Sequence, residues 1–387
     1  MKPKLLRVMT VAGSMGLLKG QLHFLSHFFE VLAVGSGAEQ LAQKAEAEGV
    51  KHRAVEMERH ISPLKDLRSL LALIKLFRKE RPLIVHSITP KAGLLSMVAA
   101  RLTRVPIRIH TFTGLIWPTA RGFKRRLLVT TDKLLCRCAT CIIPEGEGVR
   151  RDMIAARISR KPLQILANGN VNGINTSFFD PAPYAARRTT LREGLGYSDR
   201  DTVLLFIGRL VRDKGINELV SVFKQISNPH VHLLLVGPYE QRLDPLLPET
   251  LDEIEHNPRI TTTGYQNDVR PYLALSDLFV FPSYREGFPN VVLQAGAMGL
   301  PCLVTDINGS NEIIIEGENG VIIPPRDPEA LQQALSKLLT DPAAMAAMAQ
   351  RARPLITARY EQQQVWKAQL ALYRTLIAEC GFPSAEQ

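Results

Sequence analysis

Apolar runs of strand length alternate with amphipathic segments along the first half of the chain. The runs are LLRVMTVAG, EVLAVGS, KHRAVEM, LIVHSIT, IRIHTFTG, TCIIPE and LQILANG, and their lengths and boundaries are typical of strands. Between them, segments such as PLKDLRSLLALIKLFRKE and LLSMVAARLT place apolar residues at helical spacing. Because strands that alternate with helices form parallel sheets with helices on both faces, the pattern predicts a doubly wound α/β domain.

The second half repeats this alternation, and a helical tail follows it. Its strand-like runs are TVLLFIG, VHLLLVG, ITTTGY, LFVFPS, PCLVTD and GVIIPP. Turn residues cluster in NVNGINTSFFDPAPYAARR before the first of them, so we predict two α/β domains, residues 1–180 and 181–360. Residues 361–387 begin with a helical pattern that no strand follows, and we expect this helix to pack back across the first domain.

One strand–helix–strand unit of the second half has clear boundaries. Residues 278–312 have the sequence LFVFPSYREGFPNVVLQAGAMGLPCLVTDINGSNE, in which two apolar runs flank a helical segment. We expect Pro289 in the first helical turn, where its missing N–H costs nothing, and Gly299 in the left-handed position after the last turn. Glu286 then lies at the edge where open parallel sheets bind ligands, so we predict a functional carboxylate there.

Two loops have residues that suit a diphosphate. In GRLVRDKGI, Arg209 and Lys214 flank a helix start, where cations and free amides bind phosphate; an ordinary salt bridge is the alternative. In AGSMGLLKGQL the glycine spacing differs from G-x-G-x-x-G, which argues against a dinucleotide site. Gly20 stands where the first helix should begin, and it either lets a diphosphate approach the backbone or simply eases the loop.

Two histidines of the first half end predicted strands, His86 in VHSITPK and His110 in RIHTFTG. A histidine at the carboxyl end of a parallel strand is well placed to meet a substrate in the crevice beside the sheet. We therefore predict a functional role for His110, which a glycine follows closely. For His86 we predict a structural role as a hydrogen-bonded core residue.

The net charge of +11 is concentrated in the first half of the chain. Residues 1–180 contain 29 Lys and Arg against 13 Asp and Glu, whereas the remaining residues contain 19 against 24. The densest basic residues are Arg101, Arg104, Arg108, Lys124, Arg125, Arg126, Arg150 and Arg151. This asymmetry indicates an acidic partner for the first half, either an anionic membrane surface or a pyrophosphate-bearing acceptor. Scattered solvated charge is the alternative.

Composition narrows the class of protein. With 45% hydrophobic and 22% charged residues, the chain resembles a soluble globular enzyme. No run of 18 apolar residues is present, and Arg7 and Gly13 interrupt the first apolar stretch, so we predict neither a membrane span nor a signal peptide. Cys136, Cys138 and Cys141 lack a fourth ligand nearby in the sequence, which favours free thiols of a cytoplasmic protein over a zinc site.

Three segments of the second half resemble family 4 glycosyltransferases, the retaining enzymes of the GT-B fold. These segments are GRLVRDKGI, PSYREGFPN and TDINGSNEIIIEGENGVIIPPRD. In the first half, KGQL, RIHTFTGL and LANGNVNGI resemble the members that build bacterial capsule, exopolysaccharide and lipid-linked oligosaccharides. The resemblance implies two Rossmann-like domains that face each other across a cleft. It assigns acceptor binding to residues 1–180 and nucleotide-sugar binding to residues 181–360.

The resemblance also implies roles for individual residues of the second half. Arg209 and Lys214 would hold the donor diphosphate. Glu286 matches the first acid of the family's E-x7-E motif, which contacts the donor sugar and faces the positive charge that develops at its anomeric carbon. Gln294 stands where the second acid usually binds the ribose hydroxyls, and an amide can still donate to and accept from a diol. Asn290, on the same helical segment, is also expected to bind the donor.

In the first half, His110 matches the histidine that lines the donor-sugar pocket, and Gly20 matches the glycine loop near the diphosphate. The implied reaction moves a sugar, with retention, from a nucleotide-sugar such as a UDP-hexose or UDP-N-acetylhexosamine to a polyprenyl-diphosphate-linked saccharide. It would take place at the cytoplasmic face of the membrane without a metal or other cofactor. A sugar-nucleotide epimerase of the same fold is one alternative. A nucleic-acid-binding protein is a remote one, because no recognised motif accompanies the basic charge.

Overall fold

The computed structural model describes residues 2–58, 60, 62–240, 242 and 244–382. The chain forms two compact units: unit 1 comprises residues 1–173 together with 362–387, and unit 2 comprises residues 174–361. Each unit is built around one six-stranded sheet whose paired strands run parallel. The last five residues of the predicted C-terminal segment, 383–387, lie outside the described residues.

The sheet of unit 1 has the strand order β3-β2-β1-β4-β5-β6. Its strands are β1 (Lys4–Val11), β2 (Glu30–Ser36), β3 (Lys51–Ala54), β4 (Ile84–Ile88), β5 (Ile107–Phe112) and β6 (Cys141–Pro144). Its first helices are α1 (Gln21–Ser26), α2 (Ala38–Ala47), α3 (Pro63–Glu80), α4 (Pro90–Leu102), α5 (Gly122–Cys138) and α6 (Glu147–Ala155).

The sheet of unit 2 has the strand order β12-β11-β10-β7-β8-β9. Its strands are β7 (Thr202–Ile207), β8 (Val231–Val236), β9 (Ile260–Thr262), β10 (Leu278–Phe281), β11 (Cys302–Thr305) and β12 (Gly320–Ile323). Its helices are α7 (Arg188–Glu193), α8 (Ile216–Lys224), α9 (Pro248–His256), α10 (Arg270–Leu275), α11 (Asn290–Ala297), α12 (Ser310–Ile313), α13 (Pro328–Thr340) and α14 (Pro342–Tyr360). The final helix α15 (Gln362–Glu379) belongs to unit 1, as the sequence predicts.

The predicted alternation of strands and helices is confirmed, but the prediction includes one strand that the structure does not have. LQILANG is not a strand: only Leu163 forms an isolated bridge, to Ile142. The chain then turns through positive φ angles at Ala167, Gly169 and Asn170, which extended backbone does not have.

The ends of α11 were predicted with one error. Gly299 has the expected left-handed φ of 82°. Pro289, however, precedes α11 instead of lying in its first turn, because its ψ of 104° is extended.

Both strand orders place a crossover point beside a central pair of strands. In unit 1 the order reverses between β1 and β4, and in unit 2 between β7 and β10. Open parallel sheets bind ligands in the crevice at the carboxyl ends of such a pair. In unit 2 that position contains the segments after Ile207 and after Phe281. Among the helices of the described ranges, none combines the length and the apolarity that crossing a bilayer requires.

Helix α15 packs on unit 1 around a buried arginine. Arg7, on β1, is 1% exposed, and its Nη1 donates to the hydroxyl of Tyr373 at 2.8 Å. Nη1 of Arg7 also contacts Nδ1 of His86, whose Nε2 lies 2.8 Å from the hydroxyl of Thr111. Burial, followed by the charge of Arg7, lowers the pKa of His86 well below its ordinary value. His86 is therefore a neutral, hydrogen-bonded core residue.

Replacing Tyr373 with phenylalanine should destabilise the protein by about 1 to 3 kcal/mol, because the buried Arg7 loses an acceptor. Two other nitrogens of that guanidinium, Nε and Nη2, already lack a partner among the described residues. The measurement is the urea midpoint of unfolding. Tyr265→Phe, at a residue that is 70% exposed, is the matched control. Equal midpoints for the two variants would contradict a stabilising role for this cluster.

Candidate active site

Glu286 lies in the loop between β10 and α11, as predicted, and it forms an ion pair with Lys214. Lys214 ends a short 3₁₀ turn, Arg212–Lys214, that follows β7. The hydroxyl of Ser283 donates to Oε1 of Glu286 at 2.9 Å. The side chains of Glu286 and Lys214 are each 17% exposed. The loops after the two central strands of unit 2 are therefore joined by a half-buried pair of opposite charges.

Two glycines let the neighbouring loops pack closely around the Lys214–Glu286 pair. Gly215, which follows Lys214, has a φ of 71°, and a Cβ there would lie 2.2 Å from the carbonyl oxygen of Pro282. Gly309 has a φ of 77°, and a Cβ there would lie 2.6 Å from Cα of Phe288. Any side chain at these positions would push the neighbouring loop away. Neither glycine, nor Ser283, was predicted, because these close approaches join residues far apart in sequence.

Arg209 is held by a different carboxylate. It forms an ion pair with Glu240 and remains 53% exposed. In the adjacent turn, the backbone N–H of Asp213 donates to Oδ2 of Asp244 at 2.7 Å. The two predicted phosphate ligands therefore bind separate acids in this structure. The carboxylate of Asp244 accepts this hydrogen bond from the turn, so the amide of Asp213 is able to bind an anion.

Asn290 and Gln294 lie on one face of α11, four residues apart. Asn290 is the first residue of the helix, and both side chains are partly exposed. The opposite face of α11 carries Val292 and Ala295, which are buried in the core of unit 2. The helix thus keeps its two amide side chains away from its apolar face.

His110 is the fourth of the six residues of β5 in unit 1 and is 1% exposed, so it lies inside the strand and not at its carboxyl end as predicted. Its Nδ1 lies 2.8 Å from the hydroxyl of Ser87, and its ring meets that of Phe112 edge-on at 4.6 Å. Gly93 leaves room for it, since a Cβ there would lie 2.3 Å from Cε1 of His110. Burial lowers the pKa of His110 to about 3. The imidazole is therefore neutral at physiological pH and suited to hydrogen bonding, not to charge stabilisation.

Gly20 has the left-handed backbone that only glycine adopts easily, with φ of 80° directly before α1. A Cβ there would lie 2.7 Å from Cη2 of Trp366 on α15. The N–H of Gly20 and that of His23 donate to the two carboxylate oxygens of Glu48, at 2.6 and 3.0 Å. The backbone amides at the start of α1, where the sequence predicts a diphosphate, therefore bind a carboxylate of the chain itself.

Unit 1 also contains an apolar pocket of about 210 Å³. Its apolar lining includes Leu94, Leu95, Phe112, Trp117, Leu127 and Leu128. Asp132 also lines it, and the indole N–H of Trp117 donates to Oδ2 of Asp132 at 3.1 Å. Burial raises the pKa of Asp132 to about 7. This carboxyl was not predicted, because an acid on an amphipathic helix usually faces solvent.

The cysteines of C-x-C-x2-C are free thiols. Burial raises the pKa of Cys136 to about 12 and that of Cys141 to about 11, so both stay protonated at physiological pH. Within the described ranges, no three side chains of His, Cys, Asp or Glu gather in a way that could hold a metal ion.

The sequence matches two protein families, one in each half. Residues 21–169 match a family described as "Glycosyl transferase 4-like domain", and residues 201–341 match one described as "Glycosyl transferases group 1". The second match contains the residues of the unit 2 site, and the first contains His110. Gly20 lies one residue before the first match.

Relatives of similar length and fold are known. The Staphylococcus aureus capsular polysaccharide biosynthesis glycosyltransferase CapM is 32% identical over 386 residues, 97% of this chain and 98% of that protein. The Escherichia coli UDP-Gal:alpha-D-GlcNAc-diphosphoundecaprenol alpha-1,3-galactosyltransferase is 30% identical over 292 residues, 73% of each chain. Among solved structures, Anabaena HepE in complex with UDP has a TM-score of 0.79 at 17% identity, covering 96% of this chain and 99% of that chain. The likeness to HepE concerns the fold.

Replacing Asp132 with asparagine should stabilise the protein more at pH 8 than at pH 5. The pKa of about 7 in the folded state lies above the ordinary 3.8, so the folded state keeps a proton that the unfolded state releases. Stability therefore falls as the pH rises from about 4 to 7, and asparagine removes that loss while still accepting from Trp117. The difference in unfolding free energy should be roughly 1 to 3 kcal/mol. The exposed Asp199→Asn is the control, and a pH-independent gain would contradict the burial argument.

Proposed function

We propose, because this chain is a member of the family 4 glycosyltransferases, that it transfers a hexose or N-acetylhexosamine from a UDP-sugar to a lipid-linked saccharide, with retention. The chain is a glycosyltransferase of bacterial polysaccharide biosynthesis, and its GT-B fold agrees with the sequence prediction. The observation that carries the proposal is the ion pair of Lys214 and Glu286 at the strand crossover of unit 2, within the residues that match the family.

The transfer breaks the bond between the anomeric carbon and the phosphate oxygen of the donor. Lys214 and Arg209 bind the diphosphate and neutralise the negative charge that grows on it as it departs. Glu286 faces the positive charge that develops at the anomeric carbon. The acceptor hydroxyl oxygen bonds to that carbon on the face the diphosphate leaves, so the configuration is retained. The departing phosphate oxygen takes the hydroxyl proton, and UDP is released.

The Lys214–Glu286 pair supports these roles because it keeps the two charges side by side before the donor binds. The phosphates compete with Glu286 for the ammonium of Lys214. Once they bind it, Glu286 no longer has this cation as its partner and its negative charge is available to the sugar. Neutralisation by Lys214, Arg209 and loop amides fills the role that a metal would have, so we propose that the reaction needs none.

We propose donor-binding roles for each of the remaining predicted residues. Gln294 and Asn290, on the same face of α11, would hydrogen-bond the nucleoside and sugar hydroxyls. His110, neutral because it is buried, would hydrogen-bond a donor-sugar hydroxyl. Gly20 would let the diphosphate approach the loop before α1. The carboxylate of Glu48 would first have to release the N–H of Gly20.

A lipid-linked acceptor is supported by unit 1. Its apolar pocket adjoins the basic start of α5, where Lys124, Arg125 and Arg126 are exposed, and the guanidinium of Arg125 lies 5.7 Å from the ring centre of Trp117. Hydrocarbon and diphosphate are the two chemistries of a polyprenyl-diphosphate. The name of the Escherichia coli relative specifies such an acceptor. We place the reaction at the inner face of the cytoplasmic membrane, where such an acceptor is held.

Glu286→Gln should lower kcat by a factor that corresponds to roughly 2 to 4 kcal/mol of barrier, the usual effect of removing one preorganised electrostatic partner. UDP should bind at least as tightly as before, because Lys214 loses its competing carboxylate. Turnover and UDP calorimetry are measured on the same preparation. Near-normal turnover would contradict the assignment. Donor consumption that needs no acceptor would favour an epimerase.

Arg209→Ala and Lys214→Ala should each weaken the binding of free UDP and of the UDP-sugar alike, because the diphosphate is common to both. Arg212→Ala removes a cation from the same turn, one that lies 3.3 Å from Asp244, and serves as the matched control. Calorimetry with UDP gives the dissociation constants. Unchanged UDP affinity in both Arg209→Ala and Lys214→Ala would place the diphosphate site elsewhere.

The protein should sediment with vesicles of phosphatidylcholine and phosphatidylglycerol and be released by salt. Each exposed cation near the surface contributes about 1 kcal/mol, an attraction that fades over a Debye length of about 8 Å at physiological salt. Replacing Lys124, Arg125 and Arg126 with serine should remove most of this binding and leave UDP binding intact. Equal binding to phosphatidylcholine alone would show that charge is not the cause.

A further inference from the structure

A second cavity of unit 1 lies at the carboxyl end of α5 and has a strongly positive wall. Its volume is about 770 Å³. Five of its lining residues are cations and none is an acid; the cations are Lys133, Arg137, Arg157, Arg160 and Lys161. None of the roles proposed above uses this cavity.

One of the five cations has a structural task. The ammonium of Lys161 donates to the carbonyl oxygens of Cys136 and Arg137, at 2.8 and 3.3 Å. Arg101 donates to the same carbonyl oxygen of Arg137, at 3.0 Å, and Arg108 donates to that of Cys138, at 2.6 Å. Cations at this end satisfy orphan carbonyls and oppose the helix dipole. Burial, and then the charge of Arg108, lowers the pKa of Lys161, which reflects the local crowding of positive charge.

The other four cations have no such task. Lys133, Arg137, Arg157 and Arg160 form no ion pair with any acid of the described residues. In the proposed donor site, by contrast, Lys214 and Arg209 each have an acid beside them. Four uncompensated like charges around one cavity repel each other, and an anion in the cavity would remove that repulsion.

Exposed aliphatic side chains lie at this cavity and next to it in sequence. Ile154 lines the cavity and is 55% exposed, and Leu134, on α5, is 46% exposed. A free phosphate gains nothing from exposed aliphatic side chains, whereas a phospholipid presents its phosphate beside hydrocarbon. The start of α5 combines the same features, with Phe123 80% exposed beside the basic residues 124–126. The two ends are roughly 20 Å apart, at 1.5 Å per helical residue.

We propose that this cavity binds the phosphate headgroup of an anionic phospholipid, so that α5 contacts the membrane at both of its ends. The proposal rests on the membrane association proposed above and adds a discrete headgroup site to it. The start of α5 supplies diffuse attraction, and the cavity supplies recognition of phosphate.

The test combines three variants with three vesicle compositions. The cavity variant is Arg137→Gln, Arg157→Asn and Arg160→Gln; asparagine is chosen because Arg157 has a φ of 49°, which asparagine tolerates. The control, Arg68→Gln, Lys75→Gln and Lys79→Gln on α3, removes the same charge from exposed residues. The third variant is the serine substitution of residues 124–126. Vesicles contain phosphatidylcholine alone, with phosphatidylglycerol, or with oleate at equal surface charge.

The wild type should prefer phosphatidylglycerol to oleate vesicles, and the cavity variant should lose that preference. Its affinity for phosphatidylglycerol vesicles should fall about 10- to 100-fold, given about fivefold for each cation, and the α3 control should change far less. Inorganic phosphate should displace the wild type more effectively than chloride at matched ionic strength.

A cavity variant that binds vesicles like the wild type would overturn the headgroup site alone. If it nevertheless lost sensitivity to inorganic phosphate, the ligand would be free phosphate and the lipid proposal would fall. Equal losses for the cavity variant and the α3 control would show diffuse attraction only. A wild type that binds no vesicles would overturn the membrane association as well. UDP calorimetry reports the donor site separately in every case.

Discussion

The ion pair of Lys214 and Glu286 joins the two loops on which the proposed donor site of unit 2 depends. Each side chain is only 17% exposed, so water screens their attraction incompletely, and Ser283 adds a hydrogen bond to the same carboxylate. The pair forms because Gly215 lets the chain after Lys214 pass against the carbonyl of Pro282. One glycine thus sets the position at which Lys214, the proposed phosphate ligand, and Glu286, the proposed sugar-facing carboxylate, lie side by side.

Carboxylates of the chain occupy the places where the sequence predicted anionic ligands. Glu48 binds the amides at Gly20, Asp244 binds the turn before α8, and Glu240 binds Arg209. A phosphate that enters these places replaces one anion by another, so the cations and amides need not be stripped of water first. This exchange costs less than desolvating bare charges. If the proposed roles hold, these acids keep their cations and amides in place until a ligand replaces them.

The local sequence pattern predicted the helices and strands well. It predicted poorly which residues far apart in sequence contact each other. The bounds of α3 follow directly from its apolar spacing, and Gly299 ends α11 as its left-handed backbone requires. LQILANG has the composition of a strand, but no neighbouring strand extends along it beyond the bridge at Leu163. Glu240 lies 31 residues from Arg209 in sequence, and composition gives no indication that they meet. Which acid pairs with which cation is decided by which strands are neighbours of β7 in the sheet, β8 for Arg209 and β10 for Lys214, and not by either segment alone.

The cations of the two halves differ in whether an acid lies close to them, and this too depends on contacts between residues far apart in sequence. Acids outnumber bases in residues 181–387, yet that half contains the proposed diphosphate ligands, because Arg209 and Lys214 are each balanced by an acid at close range. Such pairs have little field beyond a Debye length and select a ligand only by contact. In the first half, the exposed cations of α5 form no ion pair with an acid in the part of the chain that the structure describes, so their field extends outward. Net charge therefore predicts the surface a domain approaches, whereas the pairing of each cation predicts the ligand it holds.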